Sequence, residues 1–146
     1  MFGNKTEHME KMIAKGQWEK AEKALYSAAP DARLAAAKAC GKSKADEAYN
    51  LLITLMKDED EAVQVEAIAA LGQVGGERAV TNLHWLSEHL PEGKDAVAQA
   101  MAKRLIEHGV RGLWNFTSAD LHIDNPDAVV ENVHFSESLM ILSYRI

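Results

Sequence analysis

The fold is decided by residues 60–75, which read DEAVQVEAIAALGQVG. Acidic residues open this stretch, small and aliphatic residues recur through it at helical spacing, and glycines close it. Carboxylates are stabilised at the positive end of a helix dipole, and glycine is favoured just past the last turn of a helix. The stretch therefore predicts one helix that presents a face of small residues to its neighbours.

The same pattern occurs 31 residues earlier in the chain. Residues 31–41 read DARLAAAKACG, and Gly41 takes the place of Gly72. The same shift superposes the apolar positions of residues 45–57 on those of residues 76–90. Repetition at a period of this size is typical of stacked helical units that share one continuous core.

The rest of residues 1–108 also has a helical composition, rich in Ala, Leu, Lys and Glu. A third unit begins at Asp95, and residues 5–15 predict a short amphipathic helix that covers the first end of the array. Pro30 and Pro91 fall at predicted turns. We therefore predict a mainly α fold: an α-solenoid of about three helix pairs over residues 1–108.

Residues 60–75 and 31–41 together resemble the short HEAT repeat of bacterial proteins, a type also found in phycobilisome lyases. The resemblance extends over about residues 17–107. It implies a HEAT-like scaffold for protein–protein interaction that is not an enzyme and needs no cofactor. It leaves one alternative open, a lyase-like repeat protein that binds a tetrapyrrole.

Residues 109–146 have a different composition, with more Val, Asn and aromatic residues. Val110–Phe116 and Ala128–Val133 predict strands, residues 125–127 a turn, and Ser136 the N-cap of a closing helix. This small appendage of strands and one helix cannot form a core by itself. It must therefore pack on the last repeat helix, on a second copy, or on another protein.

Three runs of this segment resemble the C-terminal end of the redox-sensing transcriptional repressor Rex: GVRGLWNF at 109–116, VVENV at 129–133 and SLMILSY at 138–144. The resemblance covers about residues 98–146. It implies that 109–133 correspond to the last strands of a Rossmann domain and 135–146 to a helix exchanged between subunits. The chain contains no winged helix and no glycine-rich phosphate loop after a strand, so neither DNA binding nor NAD binding carries over.

What carries over from the Rex resemblance is an association element. We expect it to form a homodimer or to pair with a Rex-like protein. A regulator that pairs with a Rex-type repressor is therefore a further alternative function. The residues assigned to this association tail are Trp114, Phe116, Phe135, Leu139, Met140, Leu142 and Tyr144.

Composition excludes several classes of function. The single cysteine, Cys40, permits neither an internal disulfide nor a multi-cysteine metal site, and its alignment with Leu71 predicts a buried thiol. The net charge of −6 argues against sequence-independent binding of nucleic acid. We find no leader peptide and no stretch of about 20 apolar residues, so we expect a cytoplasmic protein that does not enter a membrane.

The repeats themselves offer the predicted binding surface. The helices that begin near residues 31 and 61 are those that usually line the inner side of such arrays. We predict that their polar side chains contact a partner protein, whose identity the sequence leaves open. These residues are Arg33, Lys38, Gln64 and Glu66.

Overall fold

The computed structural model describes residues 2–74, 76–91, 93–107, 109, 112–115 and 120–132. Within these residues the chain forms helices over almost the whole predicted array and two short strands near its end. The helices are α1 (Phe2–Ala14), α2 (Trp18–Leu25), α3 (Pro30–Gly41), α4 (Asp46–Leu55), α5 (Glu61–Val74), α6 (Glu77–His89) and α7 (Asp95–Glu107), and the strands are β1 (Gly112–Asn115) and β2 (Val129–Asn132). The predicted mainly α fold with a small appendage is confirmed.

The helices lie in two layers. In the first layer, α1, α3, α5 and α7 pack side by side in that order. In the second layer, α4 packs against α3 and α5, and α6 packs against α5 and α7. Each unit therefore consists of one helix from each layer, and the stacked units share one core, as the 31-residue repeat predicts.

Small residues set the spacing between the helices of the first layer. Ala36, Ala37, Ala67 and Ala70 are all buried, as the spacing predicted. A Cβ atom at Gly41 would lie only 3.0 Å from the Cβ of Ala70 and 3.3 Å from its Cα. Gly41 is therefore required for the close approach of α3 and α5. Larger side chains fill the rest of the core, and the largest fully buried ones are Leu52, Met56, Ile68, Leu71 and Leu83.

Helix α1 covers the first end of the array. It buries Met9, Met12 and Ile13 in the main core, and α1 packs on α3. Its other side is polar and exposed, as the outer side of a terminal helix must be. Gly16 follows the helix with a φ of 68°, which favours glycine and lets the chain reverse into α2.

The appendage contains a two-stranded parallel sheet. Gly112 of β1 pairs with Val129 of β2, and the register continues to the pair Asn115 and Asn132. Both strands lie within the predicted ranges. The predicted closing helix that begins at Ser136 lies outside the described residues. No helix in the described part of the chain is long and apolar enough to cross a membrane.

Candidate interaction surfaces

The exposed side of the first layer carries charged side chains. Lys38 of α3 and Lys103 of α7 are exposed, and Glu66 of α5 is half-buried between them. No ion pair with another described residue involves any of these three. Around them the helices present the short side chains of Ala69 and Ala100, both half-buried. We call the surface formed by Lys38, Glu66, Ala69, Ala100 and Lys103 the layer face, and its exposed lysines are accessible to a partner.

Arg33 lies at the start of α3 and is turned towards the next repeat. Its Nε and Nη2 atoms donate to the two carboxylate oxygens of Asp58 at 2.8 and 2.9 Å, and its Nη1 donates to the carbonyl of Ala28 at 2.7 Å. The Arg33 and Asp58 side chains are only 14% and 9% exposed. The hydrogen bond to Asp58 raises the pKa of the Arg33 guanidinium above its ordinary value, and burial only partly offsets this. Arg33 therefore links the α2–α3 turn to the segment before α5.

Gln64 is inside the fold. It is 6% exposed on α5, and its side-chain Oε1 has no hydrogen-bond partner among the described residues. The four residues predicted for partner binding are thus not brought together on one surface. Lys38 and Glu66 lie on the layer face, whereas Arg33 and Gln64 point into the packing between units; a partner contact by any of the four stays a prediction.

Helix α7 has two buried sides. Val97, Met101 and Leu105 belong to the main core shared with the repeats. Ala98 and Ala102 belong to a second, smaller cluster that is formed with the appendage. The other members of that cluster are Leu121, which is buried, and the partly buried Leu90, Leu113, Ile123 and Val130. The described part of the appendage therefore packs on the last repeat helix, one of the three positions that the sequence allowed.

A surface cluster on α6 consists of residues that are not among the predicted site residues. Trp85 is 42% exposed, and its ring stacks on His89 with centroids 4.2 Å apart. The ammonium group of Lys57 lies 4.3 Å from the centroid of the Trp85 ring. The only signal in the sequence was the four-residue spacing of Trp85 and His89, which places both on one side of a helix.

The described residues contain neither a reactive thiol nor a cluster that could hold a metal. Burial raises the pKa of the Cys40 thiol to about 12, so at neutral pH this sulfur is protonated and a poor nucleophile. His84 pairs with Glu88 at 3.6 Å, but no group of three His, Cys, Asp or Glu side chains that could hold a metal occurs in the described part of the chain. The tetrapyrrole alternative stays a prediction.

The association tail can be followed only in part. The backbone of Trp114 lies in β1. The side chain of Trp114 is outside the described set, and so are Phe116, Phe135, Leu139, Met140, Leu142 and Tyr144. Of the appendage, the structure therefore describes the strands and the connection at 120–128.

The profile of the HEAT repeats family matches residues 19–105. Curated relatives called redox-sensing transcriptional repressor Rex match a shorter segment: 48% identity over 50 residues for Caldicellulosiruptor saccharolyticus, 34% of this chain and 22% of the relative. The Clostridium novyi protein is 52% identical over 48 residues, 32% of this chain and 22% of the relative. The chain thus spans about a fifth of the length of these relatives. No solved structure matches.

The two kinds of match overlap on the chain. Only 41 residues follow residue 105, so a 50-residue match that includes the Rex-like runs extends into the part that matches HEAT repeats. A match of this length starts at residue 97 or earlier, so the overlap includes most of α7, the helix whose two sides pack on the repeats and on the appendage.

Proposed function

Because this chain belongs to the HEAT-repeat family, we propose that it is a non-enzymatic scaffold that binds a partner protein on the layer face. The observation that carries the proposal is that three charged side chains of the layer face form no ion pair with another described residue. Lys38, Glu66 and Lys103 stand on three successive helices of one layer, and no ion pair with another described residue engages them.

The chemistry of this surface limits what it binds. Lys38 and Lys103 lie on the two helices that neighbour the helix of Glu66. The surface between these charges is formed by the short side chains of Ala69 and Ala100. A segment of a partner that carries carboxylates towards both lysines would gain charge complementarity, which favours fast and specific association more than high affinity. We therefore expect an acidic protein segment as the occupant and a binding constant that falls as salt concentration rises.

Site-specific photo-crosslinking in the source cells tests this directly. A photo-reactive amino acid is placed at position 38 or 103, and at position 23 in the control. Lys23 is an exposed lysine of α2, a helix that packs on α1 and α4 and is not one of the helices of the first layer, so it matches Lys38 in type and accessibility. We expect one partner band from positions 38 and 103 that is absent at position 23. Equal labelling from all three positions would contradict the proposal.

Once that partner is purified, charge reversal gives the quantitative test. Lys38→Glu combined with Lys103→Glu should weaken binding by about tenfold or more, since two favourable contacts become repulsive. Lys23→Glu makes the same kind of change on α2, outside the first layer, and should leave the binding constant within about twofold. An effect of the same size in the control would show that net charge, rather than the layer face, determines binding.

Pairing with a Rex-type repressor is a second candidate, supported by the 48% identity over 50 residues with the Caldicellulosiruptor saccharolyticus protein. Residues this similar could occupy the place of the corresponding segment in a Rex subunit. Native mass spectrometry of this chain mixed with that Rex protein tests it. We expect a mixed dimer that Leu139→Asp abolishes and that Ser138→Asp, with the same added charge one residue earlier, retains. Absence of any mixed species would reject this candidate and leave the layer face untouched.

A further inference from the structure

The side of α5 that packs on α7 can be read from two contacts. Lys94, just before α7, pairs with Glu61 at 3.9 Å. A Cβ atom at Gly72 would lie 2.5 Å from the Cδ of Arg104. Glu61 and Gly72 are three helical turns apart, so a line joining them marks the side of α5 that faces the next helix of the layer. Gln64 and Ile68 lie on the same line, at spacings of three and four residues.

Helix α7 has an equivalent side. Both helices begin at an acidic residue, and the 34-residue shift that superposes their first turns carries three α5 positions onto α7. The equivalent α7 residues are buried, at 4%, 3% and 3% exposure. The pairs are Gln64 with Ala98, Ile68 with Ala102, and Gly72 with Ile106. We call Ala98, Gln99, Ala102 and Ile106 the outer face of α7.

The appendage covers this outer face, where the layer would otherwise continue with another helix. Leu121 is 8% exposed and packs on Ala98 and Ala102. Beside it, the Gln99 side chain forms two hydrogen bonds with the backbone of His122: its Nε2 donates to the carbonyl at 2.6 Å, and its Oε1 accepts from the N–H at 3.0 Å. A side-chain amide thus satisfies both polar groups of one residue of the connection, as a neighbouring strand would.

We propose that the Rex-like appendage is a covering cap that occupies the position of the next repeat helix and keeps a second copy of this chain from stacking on α7. A bare end of a repeat array exposes an apolar face and needs a polar covering. At the first end, α1 provides this itself, because its outward side is polar. At the other end Ala98, Ala102 and Ile106 make most of the outer face of α7 apolar, so the covering has to come from the segment that follows.

A second copy is the occupant that fits the uncovered face. The outer face of α7 carries two alanines one turn apart, which allow two helices to approach closely, and one isoleucine. The contact between α5 and α7 shows that neighbouring helices of this layer pack directly on each other. Two uncovered α7 helices would meet in an isologous contact, since each presents the same face to the other. One face cannot hold the cap and a second helix at once.

The experiment uses the full chain and introduces one charge under the cap in order to detach it from α7. Leu121→Asp places a carboxylate against Ala98 and Ala102. His122→Asp is the matched control, because the His122 side chain is exposed while its backbone groups keep their bonds to Gln99. Light scattering measures mass against the 16.1 kDa of one chain, and hydrogen exchange reports protection along α3, α5 and α7.

We expect Leu121→Asp to increase exchange in the 120–128 segment at least about tenfold and to shift the mass towards two chains at about 100 μM. Adding Ala98→Lys should return the mass to one chain, because it puts a charge into the new contact. The control should match the unmodified protein in both measurements.

Three results would overturn the proposal. The first is an exposed 120–128 segment in a chain that stays monomeric at that concentration. The second is a dimer that Ala98→Lys does not dissociate. The third is loss of protection in α3 and α5 as well, both in Leu121→Asp and in the milder Ile123→Asp at a half-buried position. That last pattern would make the appendage part of one cooperative core, with no separable cap.

Discussion

Replacing Arg33 tests whether its side chain stabilises the packing between units or is available to bind a partner. Arg33→Ala removes two charge-assisted hydrogen bonds to Asp58 and one to the carbonyl of Ala28. Each charge-assisted bond contributes about 1.5–3 kcal/mol, and breaking a fully buried pair from one side costs about 3–5 kcal/mol. Asp58 keeps one partner, the N–H of Asp60 at 2.9 Å, and Arg33 is 14% exposed, so water offsets part of the loss.

We therefore expect Arg33→Ala to lower the free energy of unfolding by about 2–3 kcal/mol. For a chain of 146 residues this corresponds to a fall in Tm of about 6–12 °C. Arg33→Lys keeps the charge but cannot form the two-pronged contact, so it should lose about half as much. Lys38→Ala, on the exposed side of the same helix, should stay within about 0.5 kcal/mol.

Urea unfolding followed by circular dichroism measures these values, and a double-mutant cycle with Asp58→Ala isolates the pair. The coupling energy should be about 1.5–3 kcal/mol. A coupling near zero, or equal losses for Arg33→Ala and Lys38→Ala, would refute the assignment of Arg33 to the packing between units. Arg33 would then return to the set of residues available to a partner.

Three further changes give results that the structure makes specific. Gly41→Ala should destabilise the fold by about 1–2 kcal/mol, because the backbone of α5 at Ala70 must move. Gly72→Ala should be near neutral, because its new methyl group meets the flexible side chain of Arg104. Chemical denaturation measures the difference between the two variants. Gln64→Met should raise the unfolding free energy by about 1 kcal/mol, since it removes a buried acceptor without a partner; an unchanged or lower value would mean that the oxygen is satisfied in solution. Because the pKa of the Cys40 thiol is raised from 9.0 to about 12, the stability that the buried thiol contributes should be constant below pH 9 and be lost as pH rises towards 12. Alkylation of Cys40 at pH 8 should therefore require unfolding of the chain. Rapid labelling of the native chain would contradict this.

Much of the architecture could be predicted because it depends on local spacing. The 31-residue shift placed Cys40 on Leu71, and both are fully buried. The stretches 31–41 and 60–75 predict a face of small residues, and Ala36, Ala37, Ala67 and Ala70 are all buried. Apolar residues at intervals of three and four determine which side of a helix is buried, whatever that side contacts. The strands β1 and β2 were found for the same reason, from short apolar runs between turn signals.

The candidate site was less predictable, because polar residues do not reveal their partners by spacing. Arg33 and Lys38 lie on the same helix and have the same charge, yet only Arg33 meets a carboxylate that lies 25 residues away in the chain. Glu66 lies on the layer face and Gln64 does not, although they are two residues apart. Whether such a side chain serves folding or binding depends on residues distant in sequence.

Helix α7 shows which features the sequence predicts and which only the tertiary structure determines. Its sequence alone predicts a helix with small apolar residues, and the periodicity that buries Val97, Met101 and Leu105 is visible in it. That Ala98 and Ala102 are covered by Leu121, and that Gln99 bonds to the backbone of His122, was decided only by the tertiary structure. The physical reason is that the hydrophobic effect favours burial of apolar area without specifying the covering group, so the neighbour is selected by the path of the whole chain.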